Sequence, residues 1–511
     1  MTERRSGASL VRLGLTEPWA EQTLTELGWW DAGRPAITAE AVMWALARSP
    51  DPNLALRALE RLSEADRTEW SALDAALRKD EGLRGRLLAL LGASTALGDH
   101  LVSRPAVWRH LTSERALTPD RLPDVATRSA ALLHAVGCEP PAESEPAARP
   151  APDGGSGAGS AERSGVGSAE RSGADPGTAA AGSAVSRAAL TGPAAISALR
   201  DAYRDALLEI AAADLGAVSE PSLPVLPMEV VAAQLSDLAA AALRAALAVA
   251  MSEIFPREES DGGGTGGNGS GGNGSGAEEP PRLAVIAMGK CGGHELNYVS
   301  DVDVIFVAEP ADGHASRLAA AVMRVAGDAC FPVDANLRPE GRQGALVRTL
   351  EGHLSYYRRW AKTWEFQALL KARPVAGDPE LGAAYAEAVA PMVWHAADRD
   401  DFVAEVQAMR RRVEKHIRPE YADRELKLGR GGLRDVEFAV QLLQLVHGRA
   451  DPEIRSGSTL DALAALGAGG YVGRDDAANL AASYRFLRML EHRLQLARLR
   501  RTHLLPAESD T

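Results

Sequence analysis

The stretch Leu283–Val307, LAVIAMGKCGGHELNYVSDVDVIFV, constrains this chain more than any other. It reads as an apolar strand, a glycine-rich turn, a short polar segment and a second apolar strand that opens with Asp301 and Asp303. Strand side chains alternate between faces, so residues two apart point the same way. Asp301 and Asp303 are therefore expected on the face of Ile305 and Val307, with Val302, Val304 and Phe306 on the other. Two carboxylates side by side at the mouth of an apolar strand repel each other and resist desolvation unless a cation lies between them. Mg²⁺, a hard ion that takes carboxylate oxygens and substrate phosphates, meets that need. The stretch points to metal-dependent phosphoryl or nucleotidyl transfer.

Later segments supply the rest of such a site. CFPVDANLRPEGRQGALV reads as strand, polar turn and strand, with Asp334 on the first strand between Val333 and Ala335. Three carboxylates, Asp301, Asp303 and Asp334, could hold two divalent ions and stabilise both oxygens of an in-line displacement at phosphorus. Gly292 and Gly293 carry no Cβ and would let backbone amides approach a phosphate chain, with Ser300 nearby. Lys290, Arg338, Lys371 and Arg373 are the cations available to neutralise the remaining phosphate charge. The segment LEGHLSYYRRWAKTWEFQALLKARPVAGDPEL is expected to be helical as far as Pro374. In LKLGRGGLRDVEFAVQLLQLVHG, two glycines precede a helix whose apolar stripe is Leu433, Val436, Val440 and Leu443. Asp435 and Glu437 lie off that stripe. They would either sit near the nucleotide or complement the helix dipole.

At 511 residues the chain exceeds a single core, given a prior of about 150 residues per domain. The expected order is a helical region at 1–137, a Gly/Ser/Pro-rich insertion at 138–186 and a helical region at 187–256. A Gly-rich linker follows at 257–280, then a catalytic core at 281–380 and a helical domain at 381–511. The insertion carries the near-repeat GSAERSG at 159–165 and 167–173, and cannot bury enough apolar area to offset its ordering entropy. The linker DGGGTGGNGSGGNGSGAEE lacks the Lys-Ser/Thr ending of a P-loop. Trp19, Trp29, Trp30 and Trp108 read as core fillers of the first region. Leu199, Tyr203, Leu207 and Ile210 form one helical stripe. The alanine-rich helix after it must pack closely against a neighbour.

The net charge of −13 argues against a nucleic-acid or membrane surface as partner. No run is expected to reach the roughly 20 apolar residues of a membrane span, and MTERRSGASLVRLG lacks a signal-peptide core. Cys138, Cys291 and Cys330 have no metal-ligand spacing, and their scarcity suits a reducing cytoplasm.

GKCGGHELNYVSDVDVIF resembles the signature of the DNA polymerase beta-type nucleotidyltransferases, in the form used by the glutamine synthetase adenylyltransferase/adenylyl-removing family. VDANLRPEGRQGALV, YYRRWAKTWEFQALLKARPVAGD and LGRGGLRDVEFAVQ match the same family, so the resemblance spans residues 283–448. Weaker likeness continues through GASTALGDHLVSRP and LRDAYRDALLEIAAADL, and the DANLRPEGR wording is similar to actinobacterial members. Cys291 stands where the family has leucine, a small apolar exchange. The resemblance implies an α+β fold, mainly helical around a small mixed sheet, with Mg²⁺ (two ions) on Asp301, Asp303 and Asp334. Family members carry the module twice, one copy removing AMP from a tyrosine of glutamine synthetase by phosphorolysis and the other attaching it from ATP. With a single Ser-Asp-x-Asp behind a long helical region, this chain resembles the N-terminal, adenylyl-removing half. Implied partners are glutamine synthetase, the PII signal protein, phosphate, ADP or ATP, and glutamine as effector. Adenylylation from ATP and a non-catalytic regulatory scaffold are the alternatives, the complete carboxylate trio speaking against the scaffold. A nucleic-acid polymerase fits least, for want of a basic face.

Overall fold

The computed structural model describes residues 10–138, 186–256, 279–415 and 417–507. The expected insertion and linker fall almost wholly outside them.

The first region is helical because its sequence punctuates itself. Helices Pro52–Ala65, Arg67–Lys79, Glu81–Ala93 and Thr95–Ser103 each follow an Asp or Ser whose side chain accepts an N–H from the first turn: Asp51, Asp66, Asp80 and Ser94. One departure from the all-helical expectation is a hairpin pairing Trp30–Asp31 with Arg34–Pro35. Ala32 and Gly33 turn it with φ of 48° and 78°, the left-handed pair that a two-residue hairpin requires. Trp29, Trp30 and Trp108 are buried, while Trp19 is half-buried beneath the Arg57 guanidinium, 3.9 Å from its ring centre.

Two long helices, α1 (Gly192–Ser219) and α2 (Met228–Ile254), pack together, and α2 also packs against the sheet described next. Leu199, Tyr203, Leu207 and Ile210 form the buried stripe of α1, as their spacing predicts. Helix α2 corrects the expectation that no segment could span a membrane. By length and composition it is apolar enough, but 83% of its most apolar window is buried inside the protein. Its small alanines let α1 and the helices Val125–Ala135 and Gly313–Ala329 (α3) pack closely around it.

The sheet has five strands: β1 (Arg282–Ala287), β2 (Val302–Glu309), β3 (Val333–Asp334), β4 (Val347–Arg348) and β5 (Arg373–Gly377). Strand β1 lies between β2 and β5 and is antiparallel to both. Strands β3 and β4 run parallel to β2 along its far edge. The sheet is mixed, as expected. Its alternation divides two cores. Val302, Val304 and Phe306 join the core of α1, α2 and α3. Ile305 and Val307 join Ala284 and Ile286 against Leu354, Tyr357, Phe366 and Tyr385.

Strand β5 overturns the expectation of helix up to Pro374. The helices there are Leu350–Arg359 and Thr363–Leu369, after which the chain extends. Proline sits in this strand because β5 is at the sheet edge and the register shifts beside Pro374.

Helices α4 (Leu433–His447), α5 (Thr459–Ala468) and α6 (Arg474–Leu496) follow. The apolar stripe of α4 is buried at Leu433, Val436 and Val440, with Leu443 partly so. The inner face of α6 is largely polar: Arg488, Glu491, His492 and Gln495 are all buried. Helix α6 ends at Leu496, and the chain goes on through a turn at 497–499 and then without helix.

Two buried histidines set an acid limit to this fold. His353 Nδ1 donates to Thr349 O at 3.0 Å, and burial pushes its pKa down to about 4. Burial, reinforced by the adjacent Arg488 guanidinium, pushes His492 down to about 3. Both stay neutral in the fold but protonate near pH 6.5 when unfolded. Their contribution is complete above pH 6.5 and is lost as the pH falls through 6.5 toward 4 and then 3. At roughly 3 to 5 kcal/mol each, this is expected as a steep fall in melting temperature between pH 6.5 and 4. Replacing His353 with Gln should flatten that slope. An unchanged slope would refute the assignment.

Candidate active site

The open ends of β2 and β3 form the floor of a cleft of about 400 Å³. The parallel register sets Asp303 directly beside Asp334, and Asp301 precedes β2 by one residue. All three carboxylates line the cleft, joined by Ser300, Lys290, Lys371 and Glu437. The backbone of Gly289 closes one side at φ 53°; a Cβ there would lie 2.7 Å from Asp303 Oδ2. Gly289 is thus the glycine whose missing side chain shapes the carboxylate pocket.

Gly292 and Gly293 lie elsewhere. Their amides donate to Met288 O and Gly289 O, closing one helical turn. A Cβ on Gly292 would come within 1.9 Å of Lys371 O, and one on Gly293 within 2.6 Å of Gly457 O. Here glycine permits close approach of the protein's own backbone rather than of a ligand. Arg373 donates to Cys291 O and Gly292 O and so caps that turn. Arg338 donates to Ala335 O, Arg342 O and Gly344 O, and holds the loop after Asp334. Neither arginine lines the cleft. Asp435 pairs with Arg410 and accepts from Gly431 N at 2.7 Å, which ties it to the start of α4.

Cations share the cleft with the carboxylates. Lys290, Lys371, Lys427, Arg434 and Arg501 line the cleft, with Glu437 among them. Burial lowers Lys290 to about 7, against the opposing pull of Glu491, whose carboxylate is 3.5 Å away. Lys427 is lowered by burial and by Arg434. Burial alone would raise Glu437, but Arg434, Lys290, Lys371 and Lys427 outweigh it and hold the carboxyl below its usual range. Lys371 is buried and paired with Glu295, which also accepts from Thr459. Trp364, Leu337, Met409, Val413 and Phe438 give the cleft an apolar side.

The sequence reading did not single out Gly289, Lys427, Arg434 or Arg501, nor Trp364 and Phe438. Lys427, Arg434 and Phe438 do fall within the quoted segment LKLGRGGLRDVEFAVQ. Arg501, in the run Arg498–Arg501, carried no such signal.

Positive charge is short at the floor. Burial first, then the charges of Asp334 and Asp301, raises Asp303 to about 6. Three hard carboxylate donors and a serine are the chemistry that suits Mg²⁺ rather than a soft metal. Among the described residues, however, no three His, Cys, Asp or Glu side chains stand ready as a metal cluster. Asp301 is turned aside into an ion pair with Arg501, and Asp334 Oδ1 accepts from Asn336 N at 2.7 Å. The donor types are those a divalent ion takes, while Asp301 is held by Arg501.

The glutamate-ammonia ligase adenylyltransferase family model matches residues 176–388, which contain the sheet and the carboxylates. A PII-uridylyltransferase model matches residues 400–511, which contain α4, α5 and α6. Over 98% of its length the chain is 54% identical to the bifunctional glutamine synthetase adenylyltransferase/adenylyl-removing enzyme of Nocardia farcinica, and covers 43% of that protein. Over 100% of its length it is 51% identical to the protein of the same name from Mycobacterium tuberculosis, covering 44%. For Mycolicibacterium smegmatis the figures are 50%, 100% and 44%. The chain thus spans less than half the length of these relatives, each named as an adenylyltransferase/adenylyl-removing enzyme. It belongs to the glutamate-ammonia ligase adenylyltransferase family.

Proposed function

We propose that this chain removes AMP from an adenylylated tyrosine of glutamine synthetase by phosphorolysis and releases ADP. The core would be a polymerase beta-type nucleotidyltransferase module. The observation that carries this reading is the cleft itself, which is lined by three carboxylates from β2, β3 and the residue before β2 together with five cationic side chains. Such polarity suits a phosphate ester. The cations take the phosphate oxygens, and the carboxylate floor takes the divalent ions that accompany them.

Lys290, Lys427 and Arg434 would hold the incoming phosphate and the AMP phosphate together, so that an oxygen of the first lies in line with the tyrosyl oxygen of the second. Attack forms the new P–O–P bond of ADP and breaks the bond to the tyrosyl oxygen, which leaves as phenolate and takes a proton from water. Its pKa of about 10 makes it a far better leaving group than an aliphatic alcohol, so no strongly basic side chain is needed. Trp364 and Phe438 would offer the adenine a flat apolar wall. Asp301, Asp303 and Asp334 would hold Mg²⁺, which supplies charge neutralisation at both oxygens of the displacement.

The test is incubation of the chain with adenylylated glutamine synthetase, Mg²⁺ and phosphate. ADP should appear in proportion to AMP lost from the protein, and only with phosphate present. A parallel reaction with unmodified glutamine synthetase and labelled ATP distinguishes the opposite direction. Label transfer without ADP release in the first reaction would replace this reading with adenylylation. No turnover in either would favour a binding role.

A further inference from the structure

The segment after α6 is fastened at both ends. Where it leaves the helix, Ser94 Oγ donates to Leu496 O at 2.6 Å, and Thr95 donates to Ala497 O through both its amide and its hydroxyl at 3.0 Å. Further on, Leu426 N donates to His503 O at 2.8 Å and Leu505 N to Arg424 O at 3.0 Å. His503 packs its ring nitrogen 2.8 Å from Glu491. Between these anchors Leu499 takes φ of 43°, a conformation that costs a branched side chain energy and is kept only where surrounding bonds impose it. Two residues later Arg501 enters the cleft and pairs with Asp301. The strap therefore delivers one guanidinium to one carboxylate of the site.

We propose that Arg501 is a phosphate-binding residue that exchanges partners during turnover. Without metal it neutralises Asp301, and when a divalent ion takes Asp301 the guanidinium turns to a phosphate of the bound nucleoside diphosphate. This inference rests on the reading of Asp301 as a metal ligand. Two observations and the chemistry of the guanidinium support it. The pair is accessible to an incoming ion, with Arg501 53% and Asp301 32% exposed. Arg501 shares one cleft with Lys427 and Arg434, so a phosphate held by those two lies near it. The guanidinium also offers a planar fork that matches either a carboxylate or a phosphate. A cation fixed permanently to Asp301 would block the site, and one unable to reach phosphate would be wasted there.

Binding measurements without turnover test this. Mn²⁺ affinity is read by electron paramagnetic resonance, and ADP affinity by calorimetry with Mn²⁺ saturating, in the wild-type chain, Arg501→Ala, Arg501→Lys and Asp301→Asn. Arg501→Ala is expected to tighten Mn²⁺ roughly five-fold by removing a competitor for Asp301. The same variant should weaken ADP roughly ten-fold by removing a charged hydrogen bond. Arg501→Lys should restore part of both. A structural tether would not move the two affinities in opposite directions. If Asp301→Asn abolishes Mn²⁺ binding but Arg501→Ala leaves both affinities within two-fold, the exchange is refuted while the metal assignment stands. If Asp301→Asn leaves Mn²⁺ binding intact, the metal assignment fails and the exchange falls with it.

Discussion

Asp303→Asn is expected to lower ADP release in the proposed phosphorolysis by about a thousand-fold, roughly 4 kcal/mol of transition-state stabilisation, without lowering thermal stability. The two halves of this expectation come from one fact. Asp303 stands beside Asp334 in the parallel register, partly buried, and its acid is raised to about 6 by that burial and by its neighbours' charge. A carboxyl whose pKa rises on folding is destabilising when ionised, so near neutral pH the metal-free fold bears that cost. Asparagine keeps the shape and removes the charge. The metal-free variant should melt at the same temperature or higher, by an amount on the order of 1 to 2 kcal/mol. Turnover within ten-fold of wild type would refute the catalytic role. A large drop in melting temperature would show instead that Asp303 is held by contacts of its own.

The largest effect on stability should come from Arg488→Met. This guanidinium is fully buried in the inner face of α6. It donates to Glu295 O at 2.6 Å, bonds the Asn297 side chain and pairs with Glu491 at 2.9 Å. It thereby pins the segment between the glycine turn and β2 to the C-terminal helices. Glu491 is also buried. Burial would raise its acid, yet Lys290, His503 and Arg488 hold it well below the usual glutamate range. Removing Arg488 leaves part of that charge uncompensated, for which a loss of about 3 to 5 kcal/mol is typical. Thermal unfolding should show it as a clear drop. Because Lys290 leans on the same Glu491, ADP release in the proposed phosphorolysis should fall too. A variant that melts like wild type would mean that the remaining cations suffice for Glu491.

The sequence made the carboxylates of the site legible and left most of the cations around them dark. Alternation along β2 separated Val302, Val304 and Phe306 from Ile305 and Val307, and each set fills its own core. Asp334 could be placed on a strand beside the first two carboxylates because a short apolar run and a polar turn are local patterns. Strand β5 was not legible, since a five-residue edge strand containing proline has no period long enough to outweigh its helical flanks. The buried polar face of α6 was hidden for a related reason. Periodicity finds apolar stripes, whereas Arg488, Glu491, His492 and Gln495 are inside because they satisfy one another and the loop before β2. Glycine was half legible. The turn was evident, but which glycine faced the site and which faced neighbouring backbone depended on where Lys371 and Gly457 came to rest.

By itself, then, the sequence determined the carboxylate strands, the family and the kind of chemistry, because strand alternation and motif spacing act over a few residues. Only the tertiary structure decided what faces those carboxylates. Arg501 meets Asp301 across 200 residues of chain, and Lys371 meets Glu295 across 76. Such pairings depend on the packing of α4 against the helices Thr363–Leu369 and Pro379–Trp394 and of α6 against α2. Nothing local in the chain encodes that docking, because its driving force is burial shared among segments distant in sequence.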